Sequence, residues 1–353
     1  GQEVVPNSGC GSWLLEPQST NLITQSELFS DSSWNKTNSS VVSGFTSPSG
    51  DLSAFKLVGD AVSSEKLLQT IKTVTNSTIY TASVFVKYGG VEWIRLTDAQ
   101  TSNRMHFNTL TGAFGTPTGT VIDYSSTAFA DGWHRVSITT TSVASAYALR
   151  VSLAEADNDV VYTGDGTSGV YIYGAQLEQN SFPTSYIPTQ GAISTRLADI
   201  ANNSGNASLI NSEEGTLYFE GSALADDGTN RYMSIDDGTT SNYIYFRYVS
   251  TSNTVLMRTV VGGVTINTIQ VAVADTTIYK KFAFKWKSGD YAFWINGVEV
   301  GIDTSATIFP ANTLNNLGMN FPASTGEFNA NTKAVAVYKT ALTDEQLTAL
   351  TTI

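Results

Sequence analysis

Two groups of side chains in this sequence have the types and spacing that could do chemistry. The first joins aromatic rings to guanidinium groups: Tyr88, Trp93, Arg95 and Arg104 fall close together, as do Arg231, Tyr232, Tyr243, Tyr245 and Arg247. Saccharide recognition needs that mixture, because the C–H faces of a sugar pack on a ring while planar polar groups read its hydroxyls. Any one of these aromatics could instead belong to a core, and Trp34, Trp133, Trp286 and Trp294 are read that way. The second group is acidic. Asp157, Asp159 and Asp165 crowd one segment and Glu178 follows, an oxygen-rich set of the kind that a structural Ca²⁺ takes. Its spacing does not match an EF-hand, and a solvated acidic loop would look the same.

Other chemistries lack their parts. His106 and His134 are far apart, and with one cysteine beside them no zinc spacing forms. His134 is read as structural. Glu155, Asp157 and Asp159 superficially match the acidic strand of some glycoside hydrolases, but the final Glu is missing and the segment runs into a turn. There is no Gly-x-Ser-x-Gly elbow, no phosphate loop and no lyase signature, so the chain is expected not to be an enzyme.

The elements that must position these groups read as strands. Tyr80–Tyr88 is a long β-prone run, and with Glu92–Leu96 after Gly89-Gly90 it reads as a hairpin. Trp133–Thr139, introduced by Asp131-Gly132, and Tyr147–Leu153 alternate in the same way. Further on, Val260–Thr265 and Tyr291–Val300 are hairpin signals, the latter around Asn296-Gly297, which suits a type I′ turn. Short strands at even spacing with no helices between them predict an all-β chain of two β-sandwich (jelly-roll) domains in tandem. A short C-terminal helix closes it, with Thr343 as cap, Gln346 completing a capping box and Leu342 stapling to Leu347. The expected domains are an extended leader over 1–20, a first sandwich over 21–188, a linker over 189–212 and a second sandwich over 213–353. Pro6, Gly9, Gly11 and Pro17 break the leader, and Asn202–Asn206 centres the linker.

Composition agrees with a rigid surface protein. The 353 residues are 41 % hydrophobic and only 14 % charged, with 29 Gly, 16 Tyr and 16 Phe. That supports packed cores rather than disorder. The net charge of −12 comes without any Lys/Arg cluster, which argues against nucleic acid. No apolar run reaches the ~20 residues of a membrane helix, so no membrane insertion is expected. Cys10 is alone, makes no intrachain disulfide and is read as passive. The chain begins at Gly1 rather than Met, so a processed or shortened N-terminus is expected.

Two separated stretches carry a resemblance. Leu14–Leu22 with Phe29 and Trp34–Lys36 opens the first domain, and Gly174–Glu178 continued by Ser181–Pro188 closes it. This wording resembles a module of tail-fibre, head-fibre and other bacteriophage virion proteins, in which a carbohydrate-binding-module-like jelly roll hands over to a concanavalin/laminin-G-like sandwich. Glu213–Glu220, Tyr291–Val300 and Ala336–Leu347 resemble that second, lectin-like domain. The resemblance implies a fibre, spike or decoration protein on the virion surface that binds host-surface glycan without turning it over, among other virion proteins. It also implies a homo-trimer, although no coiled coil or triple-helical repeat here would force one. In such modules more chain often precedes this point, and the closing Glu, here Glu178, often helps hold Ca²⁺. Two alternatives stay open: the binding modules of a polysaccharide-degrading enzyme, and a structural virion component without a ligand.

Overall fold

The computed structural model describes residues 2–3, 12–322 and 327–353; Pro6, Gly9, Cys10 and Gly11 lie outside the described residues. Almost all regular structure is β, with one α-helix among the described residues. The chain divides into two compact units, Gln18–Leu197 and Gly1–Pro17 with Ala198–Ile353.

In the unit Gln18–Leu197, two six-stranded sheets pack face to face. One runs in the order Val121–Ala128, Trp133–Thr141, Ile79–Gly89, Gly169–Glu178, Ala54–Gly59, Ser39–Phe45. The other runs Asn103–Asn108, Trp93–Asp98, Ala146–Ala154, Ser63–Thr73, Val161–Thr163, with Asn35–Thr37 also on Ser63–Thr73. Alternation explains the core: Val84, Val86, Val136, Ile138, Val170 and Ile172 meet Leu68, Ile94, Leu96, Met105, Phe107 and Leu149 in one buried cluster. Trp34 is sealed in beside Phe29, ring centroids 5.0 Å apart.

The expected hairpin across Gly89-Gly90 does not form. Ile79–Gly89 pairs on both edges with Trp133–Thr141 and Gly169–Glu178, so its partners are already taken. The chain crosses instead to the opposite sheet, where Trp93–Asp98 pairs with Asn103–Asn108 and Ala146–Ala154.

The expected leader and linker also carry paired backbone. Ser12–Leu14 adds to Ala330–Tyr338, Ser19–Asn21 pairs with Ser194–Arg196, and Ser204 bridges Leu317. Polar composition hid these segments, but sheet edges with free N–H and C=O groups recruit them regardless of side chain.

What closes this unit is a buried carboxylate. Glu178 is fully buried and accepts hydrogen bonds from Ser19 Oγ (2.6 Å), Gln176 Nε2 (2.7 Å), Asn180 Nδ2 (3.0 Å), Thr184 N (2.9 Å) and Thr184 Oγ1 (2.6 Å). Gln176 Oε1 then accepts from Ile187 N at 2.8 Å. Asn21, buried beside them, donates to the carbonyls of Ala175 and Ile187 and accepts from the amides of Ile23 and Leu177. The first strand, the last strand and the exit segment are thereby knotted together. Gly174 at φ +54° makes the accompanying bend, with Phe85 and Tyr186 each 3.0 Å from where a Cβ would stand.

The second unit stacks a seven-stranded sheet on a five-stranded one. The first runs Gln2–Glu3, Ser12–Leu14, Ala330–Tyr338, Glu214–Ala223, Lys280–Lys287, Tyr291–Ile295, Val298–Asp303; the second runs Val264–Ala272, Thr254–Val261, Tyr243–Tyr248, Arg231–Asp236, Asn316–Gly318. Phe219 stacks on Phe282 (4.6 Å, 17°) and meets Phe246 edge-on at 4.4 Å across the core. Both expected hairpins form, and Asn296 (φ +50°) and Gly297 (φ +82°) adopt the positive φ of a type I′ turn. The helix Asp344–Thr351 carries the complete Thr343/Gln346 capping box, and Leu347 with Leu342 packs on Ala283, Ala292 and Trp294. Trp34, Trp133, Trp286 and Trp294 are all buried, as the sequence led us to expect.

Because Glu178 leaves several buried donors unmet when it is removed, Glu178→Ala should destabilise this unit by about 3 kcal/mol or more. Glu178→Gln keeps the shape but turns an acceptor into a donor, and should cost nearly as much. Urea denaturation of both variants checks this; a loss under about 1 kcal/mol would show that the knot is replaceable.

Candidate functional site

The outer face of the sheet containing Trp93–Asp98 is built from alternate residues of three adjacent strands. Ile94 and Leu96 enter the core, so Trp93, Arg95 and Thr97 face away from it. Register places His106 opposite Arg95 and Arg104 opposite Thr97 on one side, and Ser152 and Arg150 opposite the same two residues on the other. Gln69 and Asn35 extend the Arg150 row across two more strands. Trp93, half-buried, stands at one end between Asn108 and Ala154.

One carboxylate answers the guanidinium groups here. Glu65 pairs with Arg95 through Nη2, accepts from Ser152 Oγ at 2.8 Å and lies 3.6 Å from Arg150. Arg150 Nε also donates to Gln69 at 2.8 Å. Arg95 is buried, which weakens its hold on the proton; Glu65 opposes that effect, while the charges of Arg104 and Arg150 add to it. Arg104 is half-buried, and its Nε has no hydrogen-bond partner. His106 is fully buried with neither ring nitrogen hydrogen-bonded; Asp157 lies 3.6 Å from Nδ1. Burial first, then the charge of Arg95, lowers His106 to about 4, against the pull of Asp157.

Of the aromatic–arginine group expected in this unit, Trp93, Arg95 and Arg104 share this face and Tyr88 does not. Tyr88 lies on the opposite sheet, paired with Val170, because the crossing at Gly89-Gly90 separates it from Trp93. Glu65, Gln69, Thr97 and Arg150 were missed. Only strand register brings Arg150 and Thr97 to Arg104.

The second group lies on the outer face of the five-stranded sheet. Tyr232, Tyr243, Tyr245 and Arg247 do come together there, joined by Arg258 and Phe321, which the sequence did not reveal. Arg247 Nη1 donates to Tyr232 Oη at 3.2 Å, and Tyr243 and Tyr245 stack at 5.4 Å. Tyr243 and Tyr245 are buried, Phe321 standing edge-on to both, so they form the floor rather than a contact surface. Tyr232, Arg247 and Arg258 are half-buried and form its rim. Arg231 does not belong to the group: alternation turns it to the side of Met233 and Ile235, where Asp227 holds it at 3.0 Å.

The acidic residues do not assemble into an ion site. Asp165 caps its own turn through Ser168 Oγ (2.6 Å) and the amides of Ser168 and Thr167, which hold it well below the usual carboxylate range. Asp159 accepts from Val161 N, Asp157 accepts from Thr116 N beside His106, and Glu178 is filled by the protein donors described above. Among the described residues no group of three or more His, Cys, Asp or Glu could hold a metal ion. His134 packs edge-on to Phe107 at 5.2 Å, a structural position.

No family model and no curated protein matches the chain. Among solved structures, similarity is found to the Ruminococcus gnavus IT-sialidase CBM40 (TM-score 0.37, 16 % identity, 44 % of this chain and 96 % of that one). Also similar are a native heptameric SAP-like pentraxin from Limulus polyphemus (0.33, 12 %, 42 % and 72 %) and sheep galectin-11 in complex with glycerol (0.28, 14 %, 40 % and 99 %). These neighbours are a carbohydrate-binding module and lectin-like β-sandwiches.

Two measurements check this geometry. His106, depressed in the fold, should stay neutral at pH 5 and titrate near 4 by NMR. Its contribution to stability should be complete above the unfolded value near 6.5 and fall away as pH drops from there toward 4. A titration near 6.5 would place the ring in water. Since the carboxylates are occupied by protein donors, neither EDTA nor added Ca²⁺ should move the melting temperature; a rise with Ca²⁺ would reveal a bound ion.

Proposed function

We propose that this chain is a non-catalytic carbohydrate-binding protein of a bacteriophage particle surface, a fibre, spike or decoration subunit that holds host-surface glycan. The observation that carries the reading is the outer face around Trp93, where a half-buried indole stands at the end of rows of planar polar groups: Arg95, Arg104, Arg150, Gln69 and Asn35. A sugar can lay a C–H face on the indole while guanidinium and amide groups read its hydroxyls. The Tyr232–Arg247–Arg258 rim offers the same combination in the other unit.

Non-catalysis is supported by what Glu65 does. It is tied to Arg95 and Arg150 rather than set across a gap from a second free carboxylate, as bond cleavage between sugars requires. The placement on a virion, among other virion proteins and in trimeric form, rests on the wording of Leu14–Leu22 and Gly174–Pro188. Open sheet faces of this kind bury little ligand, so each site binds weakly and adhesion comes from many linked copies.

Trp93→Ala and Tyr232→Ala should each lower attachment of multivalent protein to host cells by roughly tenfold while leaving the fold intact. Undiminished attachment of both variants would overturn the reading. Release of reducing ends from host polysaccharide by the parent chain would favour an enzyme instead.

A further inference from the structure

Four residues of the Trp93 face form a square: Arg95 and Thr97 on one strand, His106 and Arg104 directly opposite them on the next. Each has a buried polar atom without a partner: Arg95 Nε, Thr97 Oγ1, Arg104 Nε and both nitrogens of His106. Arg95, Thr97 and His106 are themselves more than nine-tenths buried. Buried polar atoms are almost always satisfied, so a cluster of four unmet residues on adjacent positions needs a cause. Hydrophobic packing supplies none, because arginine cannot shed its charge and the desolvation cost of its unmet donors persists.

Charge points to what is missing. Two guanidinium groups, Arg104 and Arg150, flank the Trp93–Asp98 strand and both act on the charge of Arg95. Glu65 engages Arg95 and Arg150, and Asp157 faces His106. Arg104 has neither. In a chain of net charge −12, this is a local excess of positive charge on the face that carries Trp93. Arg104 is half-exposed, and through it the square meets solvent.

We propose that this square is the seat of an oxyanion carried by the ligand, and that the glycan this face takes is an acidic saccharide bearing a carboxylate. The inference rests on the glycan-binding reading above and deepens it. A carboxylate matches the guanidinium fork with two parallel charge-assisted hydrogen bonds, and the Thr97 hydroxyl is placed to donate a further one. Arg104, lacking an intramolecular counterion, is the residue free to turn toward the ligand. The neutral sugar faces then fall toward Trp93, at the far end of the same strand.

The test uses the whole chain and two probes. In the first, an oligogalacturonate is titrated against its carboxyl-reduced counterpart; the acidic form should bind at least tenfold more tightly and weaken as salt is raised. Arg104→Ala should remove that preference, Arg104→Lys should restore only part of it, and neither should lower the melting temperature, since Arg104 has no partner to lose. Equal binding of both oligosaccharides, or an Arg104→Ala protein that keeps the preference, would overturn the proposal. In the second, the arginine Nε–Hε NMR signals are followed with glucuronate and with methyl glucoside. Shifts of Arg104 and Arg95 with glucuronate alone support the oxyanion seat even if no polysaccharide is bound, in which case only the glycan reading falls. Binding of neutral polysaccharide with no response of these signals to glucuronate overturns the seat and leaves the glycan reading in place.

Discussion

The unit Gln18–Leu197 depends on one fully buried carboxyl group, that of Glu178. A carboxylate removed from water is costly unless every lone pair is met, and Glu178 is met by Ser19, Gln176, Asn180 and Thr184. The donors come from the first paired segment, the last strand and the exit turn, so the interaction exists only when both ends of the unit are in place. That makes it a specificity device as much as a stabilising one: a shifted register on Gly169–Glu178 would bring the charge to a hydrophobic position. The bulge between Tyr173 and Gln176, with Gly174 at its bend, is what aims Gln176 and Glu178 at the knot.

The same knot decides which face is left open. The exit segment folds back over one sheet, where Tyr186 meets Phe85 and Tyr173 edge-on and its hydroxyl reaches Glu27 and Ser26. Arg135 lies over the Phe85 ring and donates to Ser83. That face is a second small core, with Ala54 and Trp133 in it. The outer face of the other sheet has no such cover over Arg104, Arg150 and Gln69, and there the polar groups stay partly in solvent. The wording of Gly174–Pro188 and Leu14–Leu22 thus lies in the knot, and of the candidate binding face only Asn35 belongs to the shared wording.

Local chemistry was legible in the sequence and long-range register was not. Asn296-Gly297, the Thr343/Gln346 box and the buried tryptophans follow from φ preference, capping and alternation, all of which act within a few residues. The Gly89-Gly90 crossing failed as a hairpin because the strand before it is central, a property set by Trp133–Thr141 and Gly169–Glu178 far along the chain. Tyr243 and Tyr245 were nominated by their type and their nearness to Arg247, with a place in a core left open. Phe321 stands edge-on to both, and nothing near residues 243–245 announces it. Trp93, Arg95 and Arg104 could be nominated from their types, whereas Glu65, Arg150 and Thr97 enter only through pairing.

The arginines of this face show why residue type and placement must be weighed together. On a flexible loop, three guanidinium groups would spread apart and hydrate. Held on paired strands, with adjacent strands about 4.8 Å apart, they cannot separate without breaking the ladder. Glu65 offsets part of the repulsion and, by engaging Arg95 and Arg150, fixes two of the three in place. The third, Arg104, has no carboxylate partner of its own among the described residues. On the proposed reading, the paired arginines would meet the shape of a ligand and Arg104 its charge. Arginine suits that role better than lysine, because its planar fork loses less freedom for each hydrogen bond it forms.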